Sequence, residues 1–242
     1  MNVKAIISYD GSRFHGFQVQ TKSRVKTVSS EIIRALNKLN IDSKIIGSGR
    51  TDKGVHATFQ VISFQVPKFF YDLERLKNSL NKIVSPHIFI KSIKEVDESF
   101  HARFDAKKRV YRYLIYSNEF SPFLYNYALF VKNLNPVDLD SALKIFIGRH
   151  NFKNFKKEGS PTSSDIRTIS KAGLYKYRNF FIIYFEADGF LRSQVRMMAD
   201  FALKVSFKEL SLKNLEEQLE CQKVHSRELV APNGLYLSKV HY

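Results

Sequence analysis

The sequence predicts an α+β protein of two halves joined near residues 100 to 110, and three observations carry that expectation. The period of the apolar residues switches repeatedly between about 2, as in a half-buried strand, and about 3.6, as in an amphipathic helix. The order strand, helix, strand, strand, helix, strand runs through once before residue 100 and recurs after it, with no visible sequence repeat. A chain of 242 residues, 44% of them hydrophobic, can bury one large core or two small ones.

Each element has a local reason. VKAIISYDG (3–11) alternates as a strand, and SRFHGFQVQTKSRVK (12–26) is a polar loop. In TVSSEIIRALNKLN (27–40), Thr27 is placed to cap a helix whose Val28, Ile32, Leu36 and Leu39 share one face. SKIIGS (43–48) and ATFQVISFQV (57–66) are strands on either side of a glycine-rich loop. YDLERLKNSLNKIV (71–84) is a second helix, and HIFIKSIKEV (87–96) a strand after Pro86. In the second half VYRYLIYS (110–117) is a strand, and Asn135 with Pro136 opens a helix over 135–148. IRTISKAGLYKY (166–177) and NFFIIYFEA (179–187) form a hairpin around Arg178-Asn179. A long helix follows over 190–207, another over 211–220, and GLYLSKV (234–240) is the last strand.

Composition narrows the function. Thirty-nine Lys and Arg against 23 Asp and Glu give a net charge of +16, which favours a polyanionic partner over a mere lysine-rich bias. The 21 Phe and 12 Tyr, with no Trp, are mostly enough to fill a core. Cys221 is the only cysteine, so an intramolecular disulfide framework and a multi-cysteine zinc site are excluded. No apolar run approaches the roughly 18–20 residues that span a membrane. The first residues alternate like a strand and lack a small-residue cleavage signature, so the expected compartment is the cytoplasm.

The chemistry concentrates in IIGSGRTDKGVHA (45–57), where Arg50, Asp52, Lys53 and His56 stand among Gly47, Gly49 and Gly54. Side chains set between glycines can be aimed at one point. A phosphate-binding P-loop needs Lys-Ser/Thr after its last glycine, but Val55 and His56 follow Gly54. A dinucleotide fingerprint starting at Gly47 needs glycine where Asp52 stands. A purely structural turn is the plain alternative. A metal site built on Asp52 and His56 with His15, His101 or His150 lacks any ligand motif, and no G-x-S-x-G elbow occurs.

A second signal lies in HARFDAKKRVYRYLIY (101–116), where Arg103, Lys107, Lys108, Arg109 and Arg112 interleave with Phe104, Tyr111 and Tyr113. Cations can hold a phosphate backbone while an aromatic face stacks on a base. On a strand Tyr111 and Tyr113 point to one face, and Tyr113 is read as part of a half-buried strand with a solvated basic face. Arg192 and Arg196, four apart on the expected long helix, share a face beside Phe190, Val195 and Met198. Such arginines need a carboxylate or phosphate partner if buried.

GSGRTDKGVHA resembles the signature loop of the TruA-type pseudouridine synthases, which modify transfer RNA. YDGSRFHGFQVQ (9–20), FHARFDAKKRVYRY (100–113), FLRSQVRMM (190–198) and GLYL (234–237) follow in that family's order, so the resemblance covers nearly the whole chain. It implies two α+β halves around a central antiparallel sheet, working as a homodimer without cofactor or metal. Residues 1–105 would carry the catalytic aspartate loop, and 106–242 would complete the active-site cleft. The implied reaction is isomerisation of uridine to pseudouridine in the anticodon stem-loop of tRNA, at positions 38 to 40.

By the same resemblance Asp52 is the catalytic carboxylate, Arg50 its neighbouring arginine, Tyr111 the ring that packs on the target base, and Arg196 the partner of the aspartate. These types suit the chemistry. An ionised carboxylate can trap or stabilise ribose as the glycosidic bond breaks, a guanidinium favours that charged form, and extrusion of a paired base leaves a gap that Arg50 could fill. The chain departs from the family's pattern at Arg192, Ser193 and Gln194, where a His-Met pair is usual before Val-Arg. It departs again at Met197, Met198 and Asp200, at Phe17 in place of a common tryptophan, and in NFKNFKK (151–157). Two rivals remain: a noncatalytic RNA-binding or tRNA-folding protein, and a metal-dependent RNA-processing enzyme using Asp52 and histidines.

A net charge of +16 has a direct consequence for binding. For tRNA, log K should fall with log salt at about −0.7 to −0.9 per phosphate neutralised. Filter binding over a salt series measures the slope, and a slope near zero would reject the basic footprint.

Overall fold

The computed structural model describes residues 1–20, 25–159 and 162–242, so residues 21–24 of the expected polar loop lie outside the described residues. In the first half the chain runs through β1 (Asn2–Tyr9), α1 (Val28–Lys38), β2 (Ile46–Gly47), β3 (His56–Gln65), α2 (Leu73–Val84) and β4 (Ile88–Val96). Then follow β5 (Lys108–Tyr116), β6 (Leu129–Phe130), α3 (Pro136–Ile145), β7 (Gly148–Asn151), β8 (Ile166–Tyr177) and β9 (Phe180–Ala187). The last elements are α4 (Gln194–Ser206), α5 (Leu212–Leu219) and β10 (Leu235–His241). The chain forms two compact units, one of Met1–Lys107 with Tyr236–Tyr242 and one of Lys108–Leu235.

In the first unit the strands lie in the order β4-β1-β3-β10, with β2 also on β3. β1 is antiparallel to both β3 and β4, whereas β10 joins β3 in parallel through Tyr236 opposite His56 and Leu237 opposite Ala57. The strict alternation of β1 buries Val3, Ala5, Ile7 and Tyr9. Helix α1 starts at Thr27, whose hydroxyl accepts from Ser30 N–H, while the Ser30 hydroxyl accepts from Thr27 N–H in return. It buries Val28, Ile32, Ala35 and Leu36 and packs on α2, which in turn lies on β4. The loop after β1 departs from the polar expectation: Phe14 and Phe17 are core residues, 2% and 4% exposed.

The second unit orders its strands β5-β9-β8-β7, all antiparallel, with β6 parallel to β5. The expected hairpin closes over Arg178 at φ 52. Asn135 caps α3 by accepting from Val137 and Asp138 N–H, and Pro136 takes the first helical position, as the sequence suggested. The core is aromatic. Phe146 meets Phe155 edge-on at 5.4 Å between ring centroids and Phe185 at 6.2 Å, and Phe155 leans on Phe201 at 5.9 Å. Such offset pairs add to simple area burial. Phe152 and Phe155 belong to NFKNFKK, so that unusual stretch supplies core rings.

The α+β class holds in both units, and the differences are local. SKIIGS contracts to a two-residue strand, and β6 and β7 are strands that the apolar pattern does not announce. The long helix opens at Gln194, not near residue 190, because Ser193 adopts a left-handed conformation at φ 59. No helix among the described residues is long and apolar enough to cross a membrane.

Tyr113 has a structural place on β5 and is buried more fully than a half-buried strand implies: it is 1% exposed, and its hydroxyl donates to the Ala231 carbonyl at 2.7 Å. Burial pushes its phenol well above the ordinary value of 10.0, with Arg196 opposing and Asp200 adding to the rise. The native state therefore holds this proton more tightly than the unfolded chain, so stability is intact below pH 10.0 and declines above it. Tyr113→Phe should cost about 1 kcal/mol near neutral pH through the lost hydrogen bond. Its melting temperature should also fall less steeply than wild type as pH rises past 10.0, and parallel melting curves would refute this.

Candidate active site

Asp52 is the first residue of a four-residue turn. Val55 N–H donates to the Asp52 carbonyl at 3.2 Å, and Gly54, third in the turn, has φ 80. That left-handed position is one that glycine fills without strain, and other side chains do not. The other two glycines differ. A Cβ on Gly47 would lie 2.3 Å from Cε1 of Phe17, so that residue is glycine for want of space. A Cβ on Gly49 would meet nothing within 4 Å.

The residues around Asp52 are held by buried bonds. Thr51 exchanges a hydroxyl bond with Tyr9 at 2.8 Å, and its carbonyl accepts from Phe17 N–H at 3.1 Å. The carbonyls of Gly16 and Phe17 accept from Val28 and Ser29 N–H, the first donors of α1. Upstream, the Ser48 hydroxyl donates to Gln60 Oε1 at 2.6 Å, and Gln60 Nε2 donates to the Gly49 carbonyl at 2.8 Å. Downstream, Nδ1 of His56 accepts from Gly11 N–H at 3.0 Å, and its ring stacks on Tyr236 at 4.7 Å. Asp10 Oδ1 lies 3.4 Å from the same nitrogen. Gly11 has no room for a side chain there, since a Cβ would sit 2.1 Å from the Val55 carbonyl oxygen.

Asp52 itself is half-buried, and Arg50 and Lys53 are exposed. The loop thus offers one carboxylate on a braced backbone with two cations at its surface. His56 is structural: it is 2% exposed, and its Nδ1 is taken by backbone. Among the described residues no group of three or more His, Cys, Asp or Glu side chains comes together.

In the second unit Tyr111 lies on β5 opposite Phe185 of β9 and is 8% exposed. Phe190 meets its ring edge-on, centroids 5.2 Å apart at 89°. Nothing in the sequence signals this contact, because the two rings stand far apart along the chain. Arg196, in the first turn of α4, donates Nε–H to the Val230 carbonyl at 2.8 Å. Asp200 follows one turn later, its carboxyl pushed up by burial against the pull of Lys204. Lys204 stands 3.4 Å from Asp200 Oδ2, outside hydrogen-bonding geometry.

Arg192 does not share a face with Arg196. It precedes the helix, exposed, with Nη1 donating to the Glu158 carbonyl at 2.9 Å and its own carbonyl accepting from Lys157 N–H at 3.0 Å. The reason is the left-handed Ser193 together with Gln194, whose Oε1 turns back to accept from Leu191 N–H at 2.8 Å. The unusual Arg-Ser-Gln stretch therefore builds the entry to α4.

Comparison with known proteins gives this geometry its context. A family profile described as tRNA pseudouridine synthase matches residues 5–105 and 142–242. The curated protein tRNA pseudouridine synthase A of Helicobacter hepaticus is 45% identical over 99% of this chain and 98% of its own length. The proteins of that name from Helicobacter pylori and Campylobacter jejuni are 41% identical over 99% of this chain and 98% of their own, and 40% identical over the full length of both. With a braced, glycine-turned aspartate loop and full-length relatives of this kind, the chain belongs to the tRNA pseudouridine synthase family.

Proposed function

We propose that the protein isomerises uridine to pseudouridine in the anticodon stem-loop of tRNA, at positions 38 to 40, with Asp52 as the catalytic carboxylate. The observation that carries this reading is the turn at Asp52, whose flanking residues Thr51 and His56 are buried and hydrogen-bonded while the aspartate between them is half-exposed. A turn kept only for structure needs no carboxylate at its accessible position.

The reaction breaks the bond from uracil N1 to ribose C1′ and forms one from C5 to C1′. The proton on C5 is lost, and N1 gains one. Ionised Asp52 meets the developing positive charge of the ribose, as a nucleophile or as an electrostatic partner. Tyr111 supplies an aromatic face against which the freed base turns, with Phe190 keeping that ring in place. Arg196 supplies the guanidinium that favours a charged carboxylate. Exposed Arg50 fills the stem when the nucleotide is extruded. Residues 1–105 thus supply the carboxylate, and 106–242 supply the base-holding residues. The protein works as a cytoplasmic homodimer with no cofactor or metal.

Asp52→Asn keeps the shape and removes the charge. It should abolish pseudouridine formation, while tRNA affinity stays within a few fold and the melting temperature is unchanged. Asp52→Glu moves the carboxylate by roughly 1 Å and should cost on the order of 10²-fold in rate. Mass-spectrometric mapping of unmodified tRNA, with binding and melting measured in parallel, decides. An Asp52→Asn protein that turns over at the wild-type rate would sink the mechanism, and joint loss of folding and binding would favour a structural turn.

For Tyr111, loss of a stacking face costs about 1–3 kcal/mol per base. Tyr111→Leu should therefore lose roughly 10-fold to 100-fold in turnover, and Tyr111→Phe should retain most of it. If Phe proves as inactive as Leu, the hydroxyl has a chemical role that stacking does not explain.

A further inference from the structure

Residues 223–231 form neither helix nor strand, yet side chains hold them along their length. At one end stands Gln218 of α5, fully buried. Its Oε1 accepts from His225 N–H at 2.7 Å and Ser226 N–H at 2.9 Å, and its Nε2 donates to the carbonyls of Ser226 at 2.8 Å and Asn154 at 3.2 Å. A primary amide has two acceptor and two donor positions, so this side chain is fully used. In the middle, Lys204 Nζ of α4 donates to the Ser226 hydroxyl at 3.1 Å and to Glu228 Oε2 at 2.7 Å. At the far end Val230 is buried, and its carbonyl accepts Arg196 Nε–H at 2.8 Å.

Arg196 and Lys204 lie eight residues apart on α4, two turns along one face. That face meets the 223–231 segment as a rail with fixed anchors. A guanidinium is a rigid planar fork, so fixing Nε sets the direction of the whole group. The position of the Val230 carbonyl therefore aims Arg196; Val230 N–H in turn donates to the Arg196 carbonyl at 3.4 Å, and Gln218 and Lys204 hold the chain leading to it at residues 225, 226 and 228.

We propose that Gln218 is a positioning residue for Arg196, acting through residues 225–230. The proposal rests on the reading of Arg196 as a substrate-site residue. In family terms the arginine is a point in a motif; here its aim is the property of a segment thirty residues further along the chain, held from a third element.

The test is a double-mutant cycle on the full chain, with single-turnover pseudouridine formation, tRNA Kd and melting temperature measured for each protein. Gln218→Glu keeps the size and one acceptor but loses both amide donors. It should slow the chemical step by about 10-fold to 100-fold, the scale of a small misplacement, with tRNA Kd nearly unchanged. Arg196→Lys retains a charge but has no Nε fork to take the Val230 carbonyl. In that background Gln218→Glu should add no further loss of rate, although it lowers the melting temperature equally in both backgrounds. If Gln218→Glu does not fold, Gln218→Met, which keeps the length without charge and makes none of the four amide bonds, takes its place in the same cycle. Additive rate losses, or a wild-type rate for the folded single variant, would overturn the proposal. A wild-type rate for Arg196→Lys would overturn it by removing Arg196 from the site, and no product from the wild-type protein would instead reject the synthase reading.

Discussion

The backbone bond from Phe17 N–H to the Thr51 carbonyl is the contact on which the aspartate loop depends. Residues 16 and 17 serve two masters. Their carbonyls satisfy the first N–H groups of α1, which have no partner inside the helix, and Phe17 N–H reaches the residue before Asp52. The loop is thereby tied to a helix terminus whose own hydrogen bonds would be lost if it moved. A buried group left unpaired costs about 1–3 kcal/mol, so several such bonds acting together hold one geometry. The glycine at 16, at φ 96 with its Cα against the Thr51 carbonyl, permits the approach. Phe17 completes the support by packing its ring under Gly47, which places the chain's departure from the family's tryptophan in the packing beneath the loop.

Three fully buried glutamines repeat one device. Gln60 holds Ser48 and Gly49 ahead of the aspartate turn, Gln194 folds residues 191–194 into the entry of α4, and Gln218 holds the segment that ends at Arg196. In each case an amide on a regular element reaches backbone or hydroxyl groups of an irregular one. Irregular chain cannot satisfy its own backbone as a helix or ladder does. An uncharged side chain with both donors and acceptors meets that need with less desolvation than an ion would incur.

Much of this was legible in the sequence where the cause is local. Thr27 and Asn135 mark helix starts because their side chains reach N–H groups two or three residues away. The turn at Asp52 is visible because Gly54 alone suits a positive φ there. The alternation of Tyr111 and Tyr113 on one strand face follows from the period of the backbone. What was hidden depends on distant partners. β6 and β7 exist because β5 and β8 offer them hydrogen bonds, not because of their own patterns. Phe14 and Phe17 sit among polar neighbours and give no periodic sign of burial. The apolar pattern runs the long helix back to Phe190, and only the left-handed backbone of Ser193 shows that Arg192 lies outside it. A buried glutamine such as Gln218 looks in sequence like a solvent-facing helix residue.

The parallel pairing of β10 with β3 has a consequence for how the molecule is made. His56 and Ala57 wait for Tyr236 and Leu237, which leave the ribosome some 180 residues later. Until then that stretch of β3 is an open sheet edge, the kind of surface that recruits stray strands. The ring that stacks on His56 also comes from these last residues, so the brace downstream of Asp52 is incomplete during synthesis. Closing so long a loop is entropically slow, which makes the first-synthesised half among the last parts of the protein to be finished.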